Sequence, residues 1–205
     1  MCAAPIPPAA PAQAGLFDTG PLSLLHDAEG GVSYHPGLID RPVADQWFDW
    51  LREHVPWKAQ QRPMYDRVVD VPRLVASWHL EDGGLPDCLR DAGALLRDSL
   101  AVPFNSVGLN YYRDGRDSVA PHNDKLHSLV AGHPIALLSL GSVRRMTIRS
   151  KQSGHRGIHI DLEPGSLLLM SYQSQLHYEH GVPKTREQVG PRISLAFRVR
   201  PPAAG

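Results

Sequence analysis

The amino-acid sequence predicts an α+β protein in which two helices pack outside a β-sandwich or jelly-roll barrel. Two segments in the first half of the chain repeat apolar residues at helical spacing, and the second half consists of short apolar or alternating runs. Glycine, proline and aspartate separate these runs at intervals of roughly ten residues, which is typical of sandwiches and barrels. The chain has 205 residues, of which 42% are hydrophobic, so we expect one domain with a substantial core.

The first residues of the chain differ in composition from the rest. Residues 1–15 contain the alanine- and proline-rich run APIPPAAPAQAG, which favours extended, solvated conformations and cannot bury a core. We therefore expect a disordered tail at 1–15 and a single domain over 16–205.

Two amphipathic helices are predicted in the first half. The first begins near Pro42 and ends before Pro56, because proline suits the first turn of a helix and interrupts its interior. The second runs from about Pro86 to Leu100. Their apolar faces consist of Val43, Trp47, Trp50 and Leu51 in the first helix and Leu89, Ala92, Leu96 and Leu100 in the second. Both faces are expected to pack on a sheet.

The second half of the chain is predicted to be rich in strands. The runs that predict them are SVGLNYY, PIALLSLG, RRMTIRS, GIHIDL, GSLLLMSY and RISLAFRVR. Each is short, apolar or alternating, and bounded by turn-forming residues. Strands of this number and length favour a sandwich or a jelly-roll barrel over an open parallel sheet.

Charge and cysteine content narrow the class of protein. Lysine plus arginine equals aspartate plus glutamate, at 21 each, so any affinity for nucleic acid must come from a local cluster of charge. Cys2 and Cys88 do not form a disulfide framework, which favours a reducing, cytoplasmic location. No apolar run approaches the ~18 residues that span a bilayer, so no membrane association is expected.

A candidate metal site begins at His122 and Asp124, which lie two positions apart after a predicted strand. In extended chain both side chains point to the same side and can share one ion. The segment QLHYEHGVPK offers His177 or His180 as a third ligand. Two imidazoles and one carboxylate on one face of an ion are typical of iron(II) sites that leave positions open for other ligands.

The last predicted strand carries a candidate anion site. Arg192, Ser194, Ala196 and Arg198 alternate with apolar residues, so two arginines share the polar face. If the apolar face packs on the core, these guanidiniums enter the barrel, where buried positive charge requires an anionic partner. A dicarboxylate such as 2-oxoglutarate meets that requirement, since the planar guanidinium matches carboxylate geometry. An outer strand with solvated arginines is the alternative.

Several motifs then follow in a specific order. They are NYYRDG, HND, PIALLSLG, PGSLLLM, HYEHGVP and PRISLAFR. In this order they resemble the AlkB family of nucleic-acid dealkylating dioxygenases over the stretch from Asn110 to Arg198. The resemblance implies a double-stranded β-helix core at about 104–200 and a nucleotide-recognition lid at about 56–82. It also implies iron(II) as the metal, with 2-oxoglutarate and oxygen as co-substrates.

The resemblance assigns roles to individual residues. It implies that the metal ligands are His122, Asp124 and His180, the last preferred over His177 because it directly precedes GVP. It implies that the residues around 2-oxoglutarate are Asn110, Tyr112, Arg192, Ser194 and Arg198. Within that set, Arg192 would pair with the distal carboxylate and Arg198 would lie nearer the metal. Ser194 stands where an asparagine is common in the family.

Contacts to the substrate are expected in three places. Trp78, Tyr65 and Met64 are candidates to stack on a flipped base, with a core role for Trp78 as the alternative. Leu126 stands where many family members have an acidic residue that contacts the base. Arg145 belongs to a basic hairpin that could follow phosphates, and a solvated hairpin is the alternative. The basic residues of this hairpin are Arg144, Arg145, Arg149, Lys151 and Arg156.

The leading functional hypothesis is therefore oxidative demethylation of N-alkylated DNA or RNA bases, which releases formaldehyde, succinate and carbon dioxide. A second hypothesis keeps the chemistry but places it on a protein or a small molecule, supported by the neutral net charge and by Leu126. A third is a non-catalytic jelly-roll binding module, and a zinc hydrolase is a fourth. The protein is expected to be a monomer.

Overall fold

The computed structural model of the chain describes residues 20–64, 67–152 and 157–202, with the backbone alone described at 62–64 and 67–70. The predicted tail at 1–15, Tyr65 and the side chain of Met64 lie outside the described residues. In chain order the elements are β1 (Leu22–Leu25), β2 (Val32–His35), α1 (Arg41–His54), β3 (Lys58–Met64), β4 (Arg67–His79), α2 (Asp87–Leu100), β5 (Ser106–Tyr112), β6 (Val119–His122), a 3₁₀ turn (Leu126–Ser128), β7 (Ile135–Gly141), β8 (Arg144–Ser150), β9 (Ile158–Leu162), β10 (Leu167–Met170), α3 (Ser174–His177), β11 (Tyr178–Val182) and β12 (Arg192–Arg198).

The described strands form two antiparallel sheets. The larger sheet has the order β1-β2-β10-β7-β12-β5-β4-β3, and the smaller has the order β6-β11-β8-β9. Apolar side chains from both sheets meet in one cluster, which includes Tyr112 and Leu137 from the larger sheet and Met146, Ile148 and Val182 from the smaller. The two sheets therefore face each other as a jelly-roll, and the predicted fold class is confirmed.

The two predicted helices lie on the outer face of the larger sheet. Trp47 and Leu51 of α1 and Leu89 of α2 belong to the same buried cluster as Phe197 of β12. Helix α1 has a proline in its first turn, and Val55 leaves the helix in an extended conformation with φ −74° and ψ 132°, as expected of a residue that precedes proline. This layer gives the larger sheet a second buried face.

Strand β12 contributes side chains to the apolar clusters on both faces of the larger sheet. Ile193, Leu195 and Phe197 pack into the helix-side cluster, while Ala196 packs into the cluster between the sheets. Because side chains alternate along a strand, Arg192 also faces the space between the sheets. The predicted alternation is therefore confirmed, and the arginines point into the jelly-roll.

The segment expected to form a lid, at about 56–82, contains β3 and β4. These strands pair with each other as a hairpin, and β4 also pairs with β5, so the hairpin extends the larger sheet beyond the core. Strand β1, β2 and this hairpin were not predicted from the sequence. None of the described helices is long and apolar enough to cross a membrane.

Candidate active site

Three potential metal ligands converge at one edge of the smaller sheet, where β6 pairs with β11. His122 ends β6 and His180 lies directly opposite it on β11, because the two strands pair in that register. Asp124 follows two residues after His122. The potential ligand atoms of these three residues all lie within 4.8 Å of one another, and among the described residues they are the only such group of three. His177 lies instead in a separate pocket beside Asp27.

Neighbouring groups fix the orientation of this triad. Nδ1 of His122 lies 2.9 Å from the carbonyl oxygen of Ala120, which assigns the proton to Nδ1 and leaves Nε2 as the ligand atom. Gln175 accepts a hydrogen bond from the backbone N–H of Asp124 at 3.0 Å. Arg198 donates to both carboxylate oxygens of Asp124, at 2.8 and 3.1 Å. The sequence did not indicate the role of Gln175, because it depends on a contact across 51 residues.

The protonation states of the triad suit a divalent cation. Burial, followed by the proximity of His122, lowers the pKa of His180 to about 4, so its imidazole is neutral at pH 7. Burial raises the pKa of Asp124, but the charge and hydrogen bonds of Arg198 outweigh this, and the net pKa is lowered. Neutral imidazole and ionised carboxylate are the forms that bind metal, and the donor set fits iron(II).

Arg192 is a buried cation with open hydrogen-bonding capacity. The residue is 0% exposed, and its Nη2 donates to Ser139 Oγ at 2.9 Å. Its Nε and Nη1 have no hydrogen-bond partner among the described residues. Burial lowers the pKa of the guanidinium to about 10, so it stays charged at pH 7. Because a buried charge needs a partner, this site fits a carboxylate.

A cavity of about 980 Å³ joins these features. It is lined by the metal triad and by Asn110, Tyr112, Ser194 and Arg198, among others. Arg192 does not line it directly, and its guanidinium lies 5.4 Å from the ring centre of Tyr112. Burial raises the pKa of the Tyr112 hydroxyl, which therefore remains a neutral donor. The metal triad thus lines the cavity, and Arg192 lies beside Tyr112, one of the lining residues.

Comparison with known proteins identifies this arrangement. The family model of the 2OG-Fe(II) oxygenase superfamily matches residues 31–198. The chain belongs to this superfamily. It is 30% identical over 200 residues to Alpha-ketoglutarate-dependent dioxygenase alkB homolog 3 of Homo sapiens, which covers 86% of this chain and 68% of that protein. It is 34% identical over 102 residues to DNA oxidative demethylase ALKBH2 of Homo sapiens, covering 46% of this chain and 39% of that protein.

Solved structures agree at the level of the fold. The structure of OsALKBH1 aligns with a TM-score of 0.53 and 15% identity, covering 83% of this chain and 97% of that one. An oxidoreductase of the 2OG-Fe(II) oxygenase family from Burkholderia pseudomallei aligns with a TM-score of 0.55 and 12% identity, covering 82% and 85%. The chain is an AlkB-family iron(II)- and 2-oxoglutarate-dependent dioxygenase, and the hypotheses of a non-catalytic module and of a zinc hydrolase are set aside.

Two residues of this AlkB-family chain that were predicted to contact the substrate are Trp78 and Leu126. Trp78 lines the cavity, but it lies opposite Val107 and packs against the helix-side cluster, as in the alternative core role. Leu126 lies in the 3₁₀ turn and is not among the residues that line the cavity, whereas Lys125 and Ser128 are.

Arg145 is not brought to the cavity of the AlkB-family chain. It lies opposite Asp161 in the β8–β9 pair and donates to that carboxylate at 2.8 Å. Arg149 pairs in the same way with Glu179, and Arg156 lies outside the described residues. Arg144 is 3% exposed and donates to three backbone carbonyls. The described arginines of the basic hairpin therefore have intramolecular partners.

Arg73 is a cavity residue that was not assigned to the site from the sequence. It belongs to the VPR run at 71–73, and its Nε donates to Asn110 Oδ1 at 2.7 Å. It also lines the cavity. Its place in the segment expected to form the lid was the available signal, but only the hydrogen bond across 37 residues shows that its side chain faces Asn110.

Proposed function

We propose that this dioxygenase demethylates N-methylated nucleic-acid bases and releases formaldehyde, succinate and carbon dioxide. The observation that carries the proposal is the His-Asp-His triad at the wall of a 980 Å³ cavity, which has room for one extruded base beside the co-substrate. The relatives named as alkB homolog 3 and as DNA oxidative demethylase support the same substrate class.

Each member of the triad has a defined task in this proposal. His122, Asp124 and His180 would hold iron(II), which with 2-oxoglutarate and oxygen supplies the oxidant for hydroxylation of a C–H bond. Arg198 keeps the carboxylate of Asp124 ionised and fixes its orientation through two hydrogen bonds. Gln175 holds the backbone of Asp124 from the opposite side of the loop. These contacts thus orient Asp124 as a ligand before the substrate binds.

The co-substrate site follows from the open donors of Arg192. Its Nε and Nη1 would receive the distal carboxylate of 2-oxoglutarate in two parallel hydrogen bonds. The hydroxyl of Tyr112 and the amide of Asn110 line the same part of the cavity and would donate further hydrogen bonds. Ser139 holds the remaining nitrogen of Arg192, so the guanidinium is oriented in advance.

The cavity would place an N-methyl group near the metal. The β3–β4 hairpin contributes Lys58, Gln60 and Arg73 to the lining of the cavity and would exclude water once a base is bound. Hydroxylation of the methyl group produces a hemiaminal, which breaks down to formaldehyde and the unmodified base. Demethylation is therefore the net reaction.

A second candidate function is hydroxylation of a protein or a small molecule. It is favoured by one observation, namely that Arg145 and Arg149, the described arginines expected to follow phosphates, are paired with Asp161 and Glu179. The chemistry and its residues would be unchanged. The substrate distinguishes the two functions, since only the first predicts formaldehyde that is released from a methylated oligonucleotide.

The test measures succinate and formaldehyde from purified protein with iron(II), 2-oxoglutarate and ascorbate. The substrates are oligonucleotides that carry 1-methyladenine, 3-methylcytosine, 3-methyluracil or N6-methyladenine. His122→Ala should abolish both products, and the matched control His159→Ala, an exposed histidine on β9, should retain them. Succinate without formaldehyde would favour the second function. The absence of both products from iron-loaded wild-type protein would contradict demethylation of these bases.

A further inference from the structure

The described side chains that line the cavity include more cations than anions. Among the lining residues that the structure describes, the cationic ones are Lys58, Arg73, Lys125, Arg198 and Arg200. Asp124 is the only carboxylate in that described lining, and Arg198 already binds both of its oxygens. The cavity therefore presents an excess of positive charge to whatever enters it.

The excess cations come from four separate segments of the chain. Lys58 lies on β3, Arg73 on β4, Lys125 directly after Asp124, and Arg200 just beyond β12. None of the salt bridges among the described residues involves any of these four. Arg73 and Arg200 donate to neutral acceptors, the amide of Asn110 and the carbonyl of Ser128. No ion pair in the described part of the chain neutralises Lys58, Arg73 or Lys125, while the charge of Arg200 interacts with that of Asp124, which Arg198 already binds.

Cofactor and co-substrate do not account for these cations. The charges of iron(II) and of the 2-oxoglutarate dianion cancel, and Arg198 cancels Asp124. Arg192 is the cation placed to pair with the distal carboxylate. Lys58, Arg73, Lys125 and Arg200 therefore line the cavity without a role in holding the metal or the distal carboxylate, and Arg73 contacts Asn110.

Methylated bases differ in charge and in the groups beside the methylated nitrogen. 1-Methyladenine and 3-methylcytosine are cations at neutral pH. 3-Methyluracil, 3-methylthymine and 1-methylguanine are neutral, and next to that nitrogen they carry a carbonyl oxygen where 3-methylcytosine and 1-methyladenine carry an exocyclic amino or imino nitrogen. Lysine and arginine only donate hydrogen bonds, so they match carbonyl oxygens. They also repel a cationic base, more strongly in a cavity than in bulk water.

We propose that this cavity selects neutral N-methylated bases with carbonyl acceptors over cationic ones, with Lys58, Arg73, Lys125 and Arg200 as the specificity-determining cations. The proposal rests on the proposed function for the identity of the substrate. Its own content is the preference between two bases, which can be measured as binding without turnover.

The experiment compares two oligonucleotides of one sequence that contain either 3-methyluracil or 3-methylcytosine, which differ only at position 4 of the ring and in charge. Binding is measured by fluorescence anisotropy at fixed salt, with iron(II) and 2-oxoglutarate present and oxygen excluded. We expect wild-type protein to bind 3-methyluracil about tenfold more tightly. Lys58→Glu and Lys125→Glu should each reduce the ratio of the affinities for the two oligonucleotides. Lys184 is an exposed lysine outside the lining, so Lys184→Glu should leave this ratio unchanged.

Two results would overturn the selection. One is equal or tighter binding of 3-methylcytosine by wild-type protein. The other is an equal loss of affinity for both oligonucleotides in Lys58→Glu and Lys125→Glu, which would assign these cations to phosphate contacts. Admitting oxygen then separates this proposal from the demethylase proposal. A binding preference without formaldehyde would support selection and contradict demethylation, whereas formaldehyde from both bases without a preference would do the reverse.

Discussion

Arg192 has opposite effects on the stability of the fold and on ligand binding. Its guanidinium is fully buried, and two of its nitrogens have no partner among the described residues. Desolvation of a charge opposes folding unless partners replace the lost water. The residue therefore opposes the stability of the ligand-free protein while it supplies the donors that a carboxylate needs.

Replacing Arg192 with methionine should separate these two effects. We expect Arg192→Met to leave the free energy of unfolding of the ligand-free protein unchanged or to raise it by about 1–4 kcal/mol, because a buried unpaired charge is removed. The same change should cost about 2–5 kcal/mol of 2-oxoglutarate binding free energy. Urea denaturation and isothermal titration calorimetry measure the two quantities.

Arg116→Met is the matched control, because Arg116 is an exposed arginine whose side chain is 89% accessible. It should change neither quantity by more than about 0.5 kcal/mol. Retained affinity for 2-oxoglutarate in Arg192→Met would show that the distal carboxylate binds elsewhere.

At the scale of elements, the pairing of β6 with β11 assembles the metal triad. His122 and His180 are separated by 58 residues, and they meet only because they are partners in this register. Gly181 permits the close approach of the two strands, since a Cβ there would lie 2.9 Å from both the nitrogen of Pro121 and the carbonyl oxygen of Val119. A side chain at this position must push backbone away.

Gly181→Ala is therefore expected to weaken metal binding from outside the triad. Widening the strand pair should lower the free energy of unfolding by about 1–3 kcal/mol and lower iron(II) affinity by about 10- to 100-fold. Competition with a chelator under anaerobic conditions measures the affinity. Gly84→Ala, where a Cβ meets nothing within 4 Å, is the control, and equal affinities in the two variants would disprove the role of this pairing.

The loop between β5 and β6 is held by a buried carboxylate. Asp117 is 4% exposed and accepts hydrogen bonds from the backbone N–H and from the guanidinium of Arg113. Burial raises the pKa of Asp117, but the hydrogen bonds and charge of Arg113 outweigh it, so the net pKa is lowered from 3.8. The contribution of Asp117 to stability is thus complete above pH 3.8 and is lost as the pH falls through the lower folded value.

The pH dependence of Asp117→Asn follows from this sign. At pH 7 the substitution should lower the free energy of unfolding by about 1–3 kcal/mol, because charged hydrogen bonds are lost. The difference in the free energy of unfolding between the variant and wild type should shrink below pH 3.8. The carboxyl there becomes protonated first in the unfolded state and, at lower pH, in the folded state as well. Urea denaturation at several pH values checks this, with exposed Asp98→Asn as the control. A difference that stays constant with pH would rule out the ionised pair as its cause.

At the scale of the whole molecule, the described residues form two apolar clusters, one on each side of the larger sheet. The helix-side cluster contains Leu89 and Phe197, whereas the cluster between the sheets contains Tyr112 and Ile148. Only the second cluster shares its side of the sheet with the metal triad. Stability and the geometry of the site should therefore respond differently to substitutions on the two sides.

Leu89→Ala tests this division. Leu89 is 0% exposed in α2, so its truncation should lower the free energy of unfolding by about 2–5 kcal/mol through lost burial and a cavity. Affinities for iron(II) and 2-oxoglutarate should stay within about twofold of wild type, since additivity holds for distant sites. Leu22→Ala, at a position 47% exposed, should change stability by no more than about 0.5 kcal/mol. Loss of cofactor affinity in Leu89→Ala would show that the two sides are coupled.

Local patterns in the chain were sufficient for the fold class and for the residues of the site. The alternation in β12 predicted which face carries Arg192 and Arg198, because the period of a strand is a local property. The spacing of His122 and Asp124 placed both on one side for the same reason. The AlkB motifs predicted the third ligand, His180, where spacing alone left His177 open.

Tertiary contacts decided the partners of those residues. Gln175 accepts a hydrogen bond from Asp124, and Arg73 donates one to Asn110. Arg145 lies opposite Asp161. All three contacts join segments that are far apart in the chain. The charge excess of the cavity likewise arises from four segments that meet only in the fold. Such pairings depend on the summed packing of whole sheets, and no short stretch of sequence contains that information.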